Sequence, residues 1–474
     1  MYVHILHDSL HRLLTGAYVA WVTIDMLPDL ALLGIFDFYL DKAAIQAWHN
    51  LVHVCRKWRI VVFGSPRRLN LRLCCKARTP VRDMLDVWPP LPIVMKVYSV
   101  DTWDDGNIIA ALELNDRICE LVIFDIPSLE TEKALATLQR PFPALASLEL
   151  AFYLQTSPVF PASFLGGSAP GLRLLSLDHI PFLGLPNLLL TATHFVHLHL
   201  QRIPHSGYIS AEEIVTALSV LTRLKCLHIG FESHRSRPDR KAQRLPPSIR
   251  TLLPVLTRLR FKGVDEYLED LLVRIDAPLL DKLEITFFYQ LVFDSPQLIQ
   301  FISRTPKFKT NNEVHVEFSC FDVMVTLPHP FHGAFELGIS SSQPTRQLSS
   351  VARVCSSSFF RTLISTVEHL HIRSNSCRPE WQDGIENRQW LELFHPFMAV
   401  KDLYLSSEFT LRVAPALKEL IGERVTEVLP ALRALFLEVP LLSGPVRETI
   451  EQFVAARQLA GHLISVSRWK FEEN

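Results

Sequence analysis

The chain has 474 residues, 48% of them hydrophobic and 20% charged, with a mean hydropathy of +0.18. That balance excludes a disordered acidic or basic polymer, and a net charge of -1 provides no global field for holding phosphate backbones or anionic lipid. Neither nucleic acid nor membrane is therefore an expected partner. Leucine fills roughly one position in six while glycine fills only 17, against a usual glycine share of about 7%. This usage argues for repeated apolar packing and against glycine loops that cradle phosphate, and no GxxxxGK[ST] or GxGxxG string occurs.

Residues 1–24 read as a lead segment. Its apolar run, residues 13–24, is too short to span a bilayer, is stopped by Asp25 and has no basic stretch before it, so neither signal peptide nor membrane span is expected. The eight cysteines are scattered without a CxxC pair, a pattern that predicts reduced thiols in a cytoplasmic and/or nuclear protein.

Residues 25–68 form a first block. Pro28 suits the first turn of a helix, and Leu30, Leu33, Ile35, Phe36 and Leu40 follow on one apolar face. Asp41 is placed to cap a second helix carrying Ile45, Trp48, Leu51, Val52 and Cys55, and Trp58, Val61 and Val62 supply a third apolar set before Pro66. A block this small cannot enclose so many large apolar groups alone, so it should pack on something else. His49, His53 and Cys55 have spacing that could interest a metal, but ordinary helical packing explains them.

From Pro66 onward the period changes. Strands are expected at 69–73, 93–97 and 121–124, with helices over 81–88 and 105–114 between them, which makes a repeated βα unit. The string P-x-L-x-x-L-x-[L/I] begins at Pro143, Pro170, Pro278 and Pro430, where independent residue frequencies predict well under one occurrence. Looser copies bring the spacing of successive starts to 23 to 33 residues, apart from one gap of 87 between 280 and 367. That gap is about three periods, and the segment around Val314 reads as a degenerate unit within it.

The expected fold is α/β: a short N-terminal helical block, then an irregular leucine-rich-repeat-like βα solenoid over residues 69–474. Inward leucines would stack from unit to unit. Helices over 210–221, with Ser210 and Glu213 as a capping box, 264–275 and 388–397 would form the outer layer. The asparagine that bonds the turn of a regular repeat is present only at Asn375, so irregular curvature is expected.

Solvent-facing strand positions of the middle repeats are His199, His228, Arg260 and Glu284, followed later by His371 and Tyr404, and these are the candidate target-binding face. His194, His197 and His199 lie close together, but with no cysteine or carboxylate near them in sequence they read as strand positions around Leu198 and Leu200. GGSAPG around Ser168 is no nucleophile elbow, the 232–244 run reads as a basic solvated loop, and the serine-rich stretch around Ser356 as a polar loop. No catalytic residue, metal or cofactor is expected.

Leu27-Pro28-Asp29, Ile35-Phe36 and Val54-Cys55-Arg56-Lys57-Trp58 are spaced so that residues 25–68 resemble the F-box, the helical module that docks on the Skp-family adaptor of cullin-based ubiquitin ligases. The run from WHNLVHVCRKWR to SPRRLNLRL is similar to the large F-box family of mushroom-forming (basidiomycete) fungi, as are ENRQWLELFHPFMAVKDLYLSSEF and VLPALRALFLEVP. The likeness thus covers most of the chain. The stretch between the Leu-Pro and Val-Cys pairs is a few residues longer than in the commonest F-box. The resemblance implies that Leu27, Pro28, Leu30, Ile35, Phe36, Val54, Cys55 and Trp58 bury apolar surface against a Skp-family adaptor and, through it, reach a cullin. It implies a non-catalytic substrate-recognition subunit that holds a target protein. The alternative is an interaction scaffold outside any ligase.

Overall fold

Pro28 has no amide hydrogen to lose, and the helix Asp29–Lys42 starts directly behind it in the computed structural model. The structure describes residues 24–42, 47–75, 81–98, 105–125, 128–152, 159–237, 250–288, 295–308, 312–328, 334–341, 343–375, 387–420, 422–438 and 444–469. The lead segment up to residue 23 and residues 238–244 of the basic run lie outside these. Two compact units divide the chain, residues 1–122 and 123–474.

In the first unit, Asp29–Lys42 is followed by helices Trp48–Val52 and Arg56–Gly64. Phe36 is fully buried and its ring lies 4.7 Å from that of Trp58. Trp48, 1% exposed, donates its indole N–H to the carbonyl of Arg72 at 2.8 Å, and its ring meets Trp88 edge-on at 5.0 Å. A buried indole that finds a backbone acceptor fixes the block on the chain that follows it. The strand expected at 69–73 begins only at Leu73, giving Leu73–Cys75. Pro66–Leu69 instead turns as a helix, closed by Asn70 in the left-handed region at φ 47°, a conformation that asparagine tolerates. Leu73–Cys75 pairs in parallel with Ile93–Tyr98, and Ile118–Phe124 lies beside that strand.

The second unit is a βα solenoid. Strands Ser147–Ala151, Leu174–Asp178, His197–Ile203, Cys226–Phe231, Arg258–Gly263 and Lys282–Phe288 pair in parallel in chain order. Register puts Leu148, Leu175, Leu198, Leu227, Leu259 and Leu283 in one inward row, each with 0% exposure. Leu150, Leu177, Leu200, Ile229, Phe261 and Ile285 form a second row two residues on. Helices cover this face. Ala211–Leu218 carries the expected capping box, in which Ser210 Oγ accepts from the Glu213 amide while the Glu213 carboxylate accepts from that of Ser210. Asp265–Leu272 and Asn387–Phe394 stand where helices were expected.

The 87-residue gap does hold three strands, but they do not continue the progression. Lys282–Phe288 pairs with Phe335–Ser340, which pairs antiparallel with Asp322–Leu327, which pairs antiparallel with Glu313–Phe318; only then does the parallel series resume at His369–Ser374. The cause is the length of the connections. Three residues join Glu313–Phe318 to Asp322–Leu327, too few for a parallel crossover, and Ser319 Oγ closes the turn by accepting from the amides of Phe321 and Asp322. Strands Asp402–Leu405, Ala434–Leu437 and Ser465–Arg468 complete the unit in parallel.

Two further expectations need correction. The serine-rich stretch is helical over Pro344–Ser356 and Ser358–Ile364, because Leu348, Val351, Ala352 and Cys355 make a buried stripe and Ser357 caps the second helix. Cys320 is disulfide-bonded, so not every cysteine is a reduced thiol. At the start of the strands the repeats are tied by backbone: the amides of Arg173, Lys225, Thr257, Lys401 and Arg433 each donate to the carbonyl of an earlier repeat just before its strand, at 2.7–2.9 Å.

Gly263 marks the tightest packing around the inward rows. A Cβ there would lie 2.6 Å from Phe261 Cζ and 3.0 Å from Phe231 Cδ2, both rings held in a cluster with Tyr267. Gly263→Ala is expected to lower the urea midpoint by an amount equivalent to roughly 1–3 kcal/mol, as overpacking does elsewhere.

Candidate functional site

Strand pleating sends every residue between the two inward rows to the opposite face. In this unit those residues form one unbroken row across thirteen strands: Glu149, Ser176, His199, His228, Arg260, Glu284, Glu336, Thr326, His315, His371, Tyr404, Phe436 and Ser467. The register therefore brings His199, His228, Arg260 and Glu284 together as direct neighbours, and His371 and Tyr404 further along. Glu336, Thr326 and His315 were missed, because the reversed order of the three middle strands is not visible in repeat spacing.

The row changes character along its length. His199 and His228 have ring centroids 6.2 Å apart. Burial first, and then the Arg260 guanidinium and His199, push the pKa of His228 down to about 4. Arg260 Nε contacts Glu284 Oε2 at 2.6 Å, and Lys282 Nζ bridges Glu284 Oε1 at 2.8 Å and Glu336 Oε1 at 3.0 Å. Glu284 is thus a nearly buried carboxylate with its charge already matched, while Arg260 remains the accessible partner. Further on, His371, Tyr404 and Phe436 stack face to face at 4.0 Å and 4.4 Å with interplanar angles of 4° and 6°. Trp469 stands edge-on to His371 and Tyr404. The row offers a partly aromatic face of paired charges that continues from strand to strand.

Among the described residues, two clusters bring three ligand-type atoms within 4.8 Å of one another: His197 with His199 and Cys226, and Glu313 with His315 and His371. The expectation that no cysteine approaches the first histidine group is corrected by the register, which sets Cys226 opposite His197. His194 lies apart, against Arg223 at 3.3 Å. His49, His53 and Cys55 do not converge: His49 stacks on Trp88 at 4.9 Å, and Cys55 caps the helix Arg56–Gly64 by accepting from the Trp58 amide.

Burial divides the residues expected to bind an adaptor into two groups. Phe36 is buried, Leu27, Ile35, Cys55 and Trp58 are half-buried, and Lys57 donates to the Leu27 carbonyl at 2.9 Å. Pro28, Leu30 and Val54 are exposed, Leu30 by 72% and Val54 by 55%. Met26, Phe38 and Ile60 are more than half exposed as well.

Parallel strands, helices on one face, inward leucine rows and a polar outward row define an irregular leucine-rich-repeat-like βα solenoid. No protein-family model matches the chain, and no curated protein matches it. Among solved structures it is similar to the leucine-rich repeat-containing protein LegL7 from Legionella pneumophila, at 13% identity and a TM-score of 0.29, over 67% of this chain and 93% of that one. The fold assignment rests on the strand register alone.

His228 gives this face a pH signature. Its folded pKa of about 4 lies below the ordinary 6.5, so protons favour the unfolded chain. The stabilisation is complete above about pH 6.5 and is lost as pH falls toward about 4. Thermal unfolding followed across that window should show a shallower acid loss in His228→Gln than in the parent.

Proposed function

We propose that this chain is the substrate-recognition subunit of an SCF-type ubiquitin ligase. Residues 25–68 act as an F-box that docks on a Skp-family adaptor and through it a cullin, and the outward row of the solenoid holds a target protein. The observation that carries the reading is the set of large apolar side chains left in solvent on the small helical block, Met26, Leu30, Phe38, Val54 and Ile60, beside Pro28. So many large apolar groups left in solvent on so small a block support a partner surface there. It includes Leu30 and Val54 from the resemblance, while Phe36, with Trp58 packed on it, shapes the block from within.

The mechanism is proximity. Holding a target beside a ubiquitin-charged enzyme makes the transfer effectively intramolecular, and this chain contributes no nucleophile, base or cofactor to it. A few anchors on the row decide the target, with the His371–Tyr404–Phe436 stack and Arg260 the strongest candidates by residue type. Such a subunit works in the cytoplasm or nucleus.

A second reading, a scaffold outside any ligase, has its own support. Cys55, Lys57 and Trp58 all serve the block internally, so the signature would persist without an adaptor. Co-expression with a Skp-family adaptor separates the two. The ligase reading expects a stable complex that Leu30→Asp combined with Val54→Asp weakens by more than about tenfold, because a buried charge replaces an apolar anchor at each site. The melting temperature of the free chain should stay unchanged. A parent chain that fails to hold the adaptor at micromolar concentration supports the scaffold instead.

A further inference from the structure

We infer that Glu313, His315 and His371 form a zinc site on the outward face of the solenoid, where the parallel series resumes after the reversed strands. Glu313 and His315 are two apart on one strand and so share a face, and His371 lies directly opposite His315 on the next strand. Glu313 Oε1 is 2.6 Å from His315 Nε2 and 3.0 Å from His371 Nε2. The imidazole rings of the two histidines lie 4.6 Å apart. Three ligand atoms from two strands thus converge on one point.

Size and chemistry both fit the ion. Tetrahedral zinc with nitrogen and oxygen ligands at about 2.0–2.1 Å sets neighbouring ligand atoms roughly 3.3 Å apart. The two carboxylate–imidazole distances open by less than about an ångström to admit it, a shift within reach of side-chain torsions. Imidazole and carboxylate form a donor set that suits zinc. The Tyr404 ring lies flat on His371 and Trp469 stands against its edge at 5.8 Å, which fixes the orientation of that imidazole before any ion arrives. All three groups are partly accessible. Three protein ligands leave one tetrahedral position pointing away from the sheet. Water takes it in the free chain, and a carboxylate or imidazole of a bound protein can replace that water.

The cluster of His197, His199 and Cys226 is a poorer site for a cation. Lys225, Arg258 and Arg173 place positive charge around His197, and no carboxylate of the cluster offsets it. The contrast lies in the Glu313 carboxylate, which the first cluster lacks. The zinc site holds whether or not the helical block docks an adaptor.

The test uses the full chain, stripped of metal and titrated with zinc chloride by calorimetry, then with cobalt(II) for its visible spectrum. One zinc per chain is expected at micromolar affinity or tighter, with cobalt bands that lack a sulfur charge-transfer component. Glu313→Gln and His371→Asn should each weaken zinc by at least the roughly 100-fold that loss of an outer-shell partner can cost. Cys226→Ser should leave it unchanged. Metal-free melting curves show that the variants are folded, and His315→Gln replaces any that is not. Absence of zinc uptake at micromolar concentration, full uptake by the Glu313 and His371 variants, or a loss on Cys226→Ser would each overturn the assignment.

Discussion

The solenoid depends on one contact repeated strand after strand, a leucine packed on the leucine of the neighbouring strand. Leu148, Leu175, Leu198, Leu227, Leu259 and Leu283 are wholly sheltered, and each contributes roughly 1.5–3 kcal/mol by burial. The ion pairs across the outward face, such as Arg260 with Glu284 or Arg373 with Glu317, are partly solvated and contribute about 0–1 kcal/mol each. Stability therefore sits almost entirely on one face of the sheet. The other face is free to carry histidines, aromatics and matched charges without weakening the array.

The same separation governs the helical block. Phe36, Trp48 and Trp58 hold it together, and Trp48 bonds it to the carbonyl of Arg72. Leu30 and Val54 contribute nothing to that core and remain in solvent. A sequence signature spanning both sets mixes residues needed for folding with residues available for contact. Only the burial pattern separates them.

Much of this was legible in the sequence because it follows from period. The inward leucines repeat every 23 to 33 residues, the capping box at Ser210 is local, and alternation along a strand predicts that His199, His228, Arg260 and Glu284 share a face. What was not legible depends on strand order and on chain crossing. Glu313 and His371 are 58 positions apart in the chain, and no spacing rule predicts that His315 and His371 pair. Cys226 meets His197 only through register across a repeat boundary. The strand expected at 69–73 slipped because Asn70 adopts a left-handed conformation, a choice that an apolar–polar alternation conceals. The serine-rich helix was hidden by composition, since its buried stripe of Leu348, Val351, Ala352 and Cys355 is diluted by the serines between.

The reversed strands carry a topological consequence. Direction along the sheet runs parallel, antiparallel, parallel across Phe335–Ser340, Asp322–Leu327 and Glu313–Phe318, so the segment behaves as a two-strand hairpin spliced into an otherwise uniform progression. Only Asp322–Leu327 runs against the series, and the strands on either side of it both keep the direction of the rest. Phe318 and Ser340 end at the same edge, where Ser319 meets Asp322 and Ser341 meets Phe321 through backbone hydrogen bonds. Excision of the hairpin would join Glu313–Phe318 directly to the helix Pro344–Ser356 and leave a shorter, wholly parallel array, with His315 moved next to Glu284. Removal of the hairpin would thus shorten the sheet by two strands and reset which residues of the outward row are neighbours.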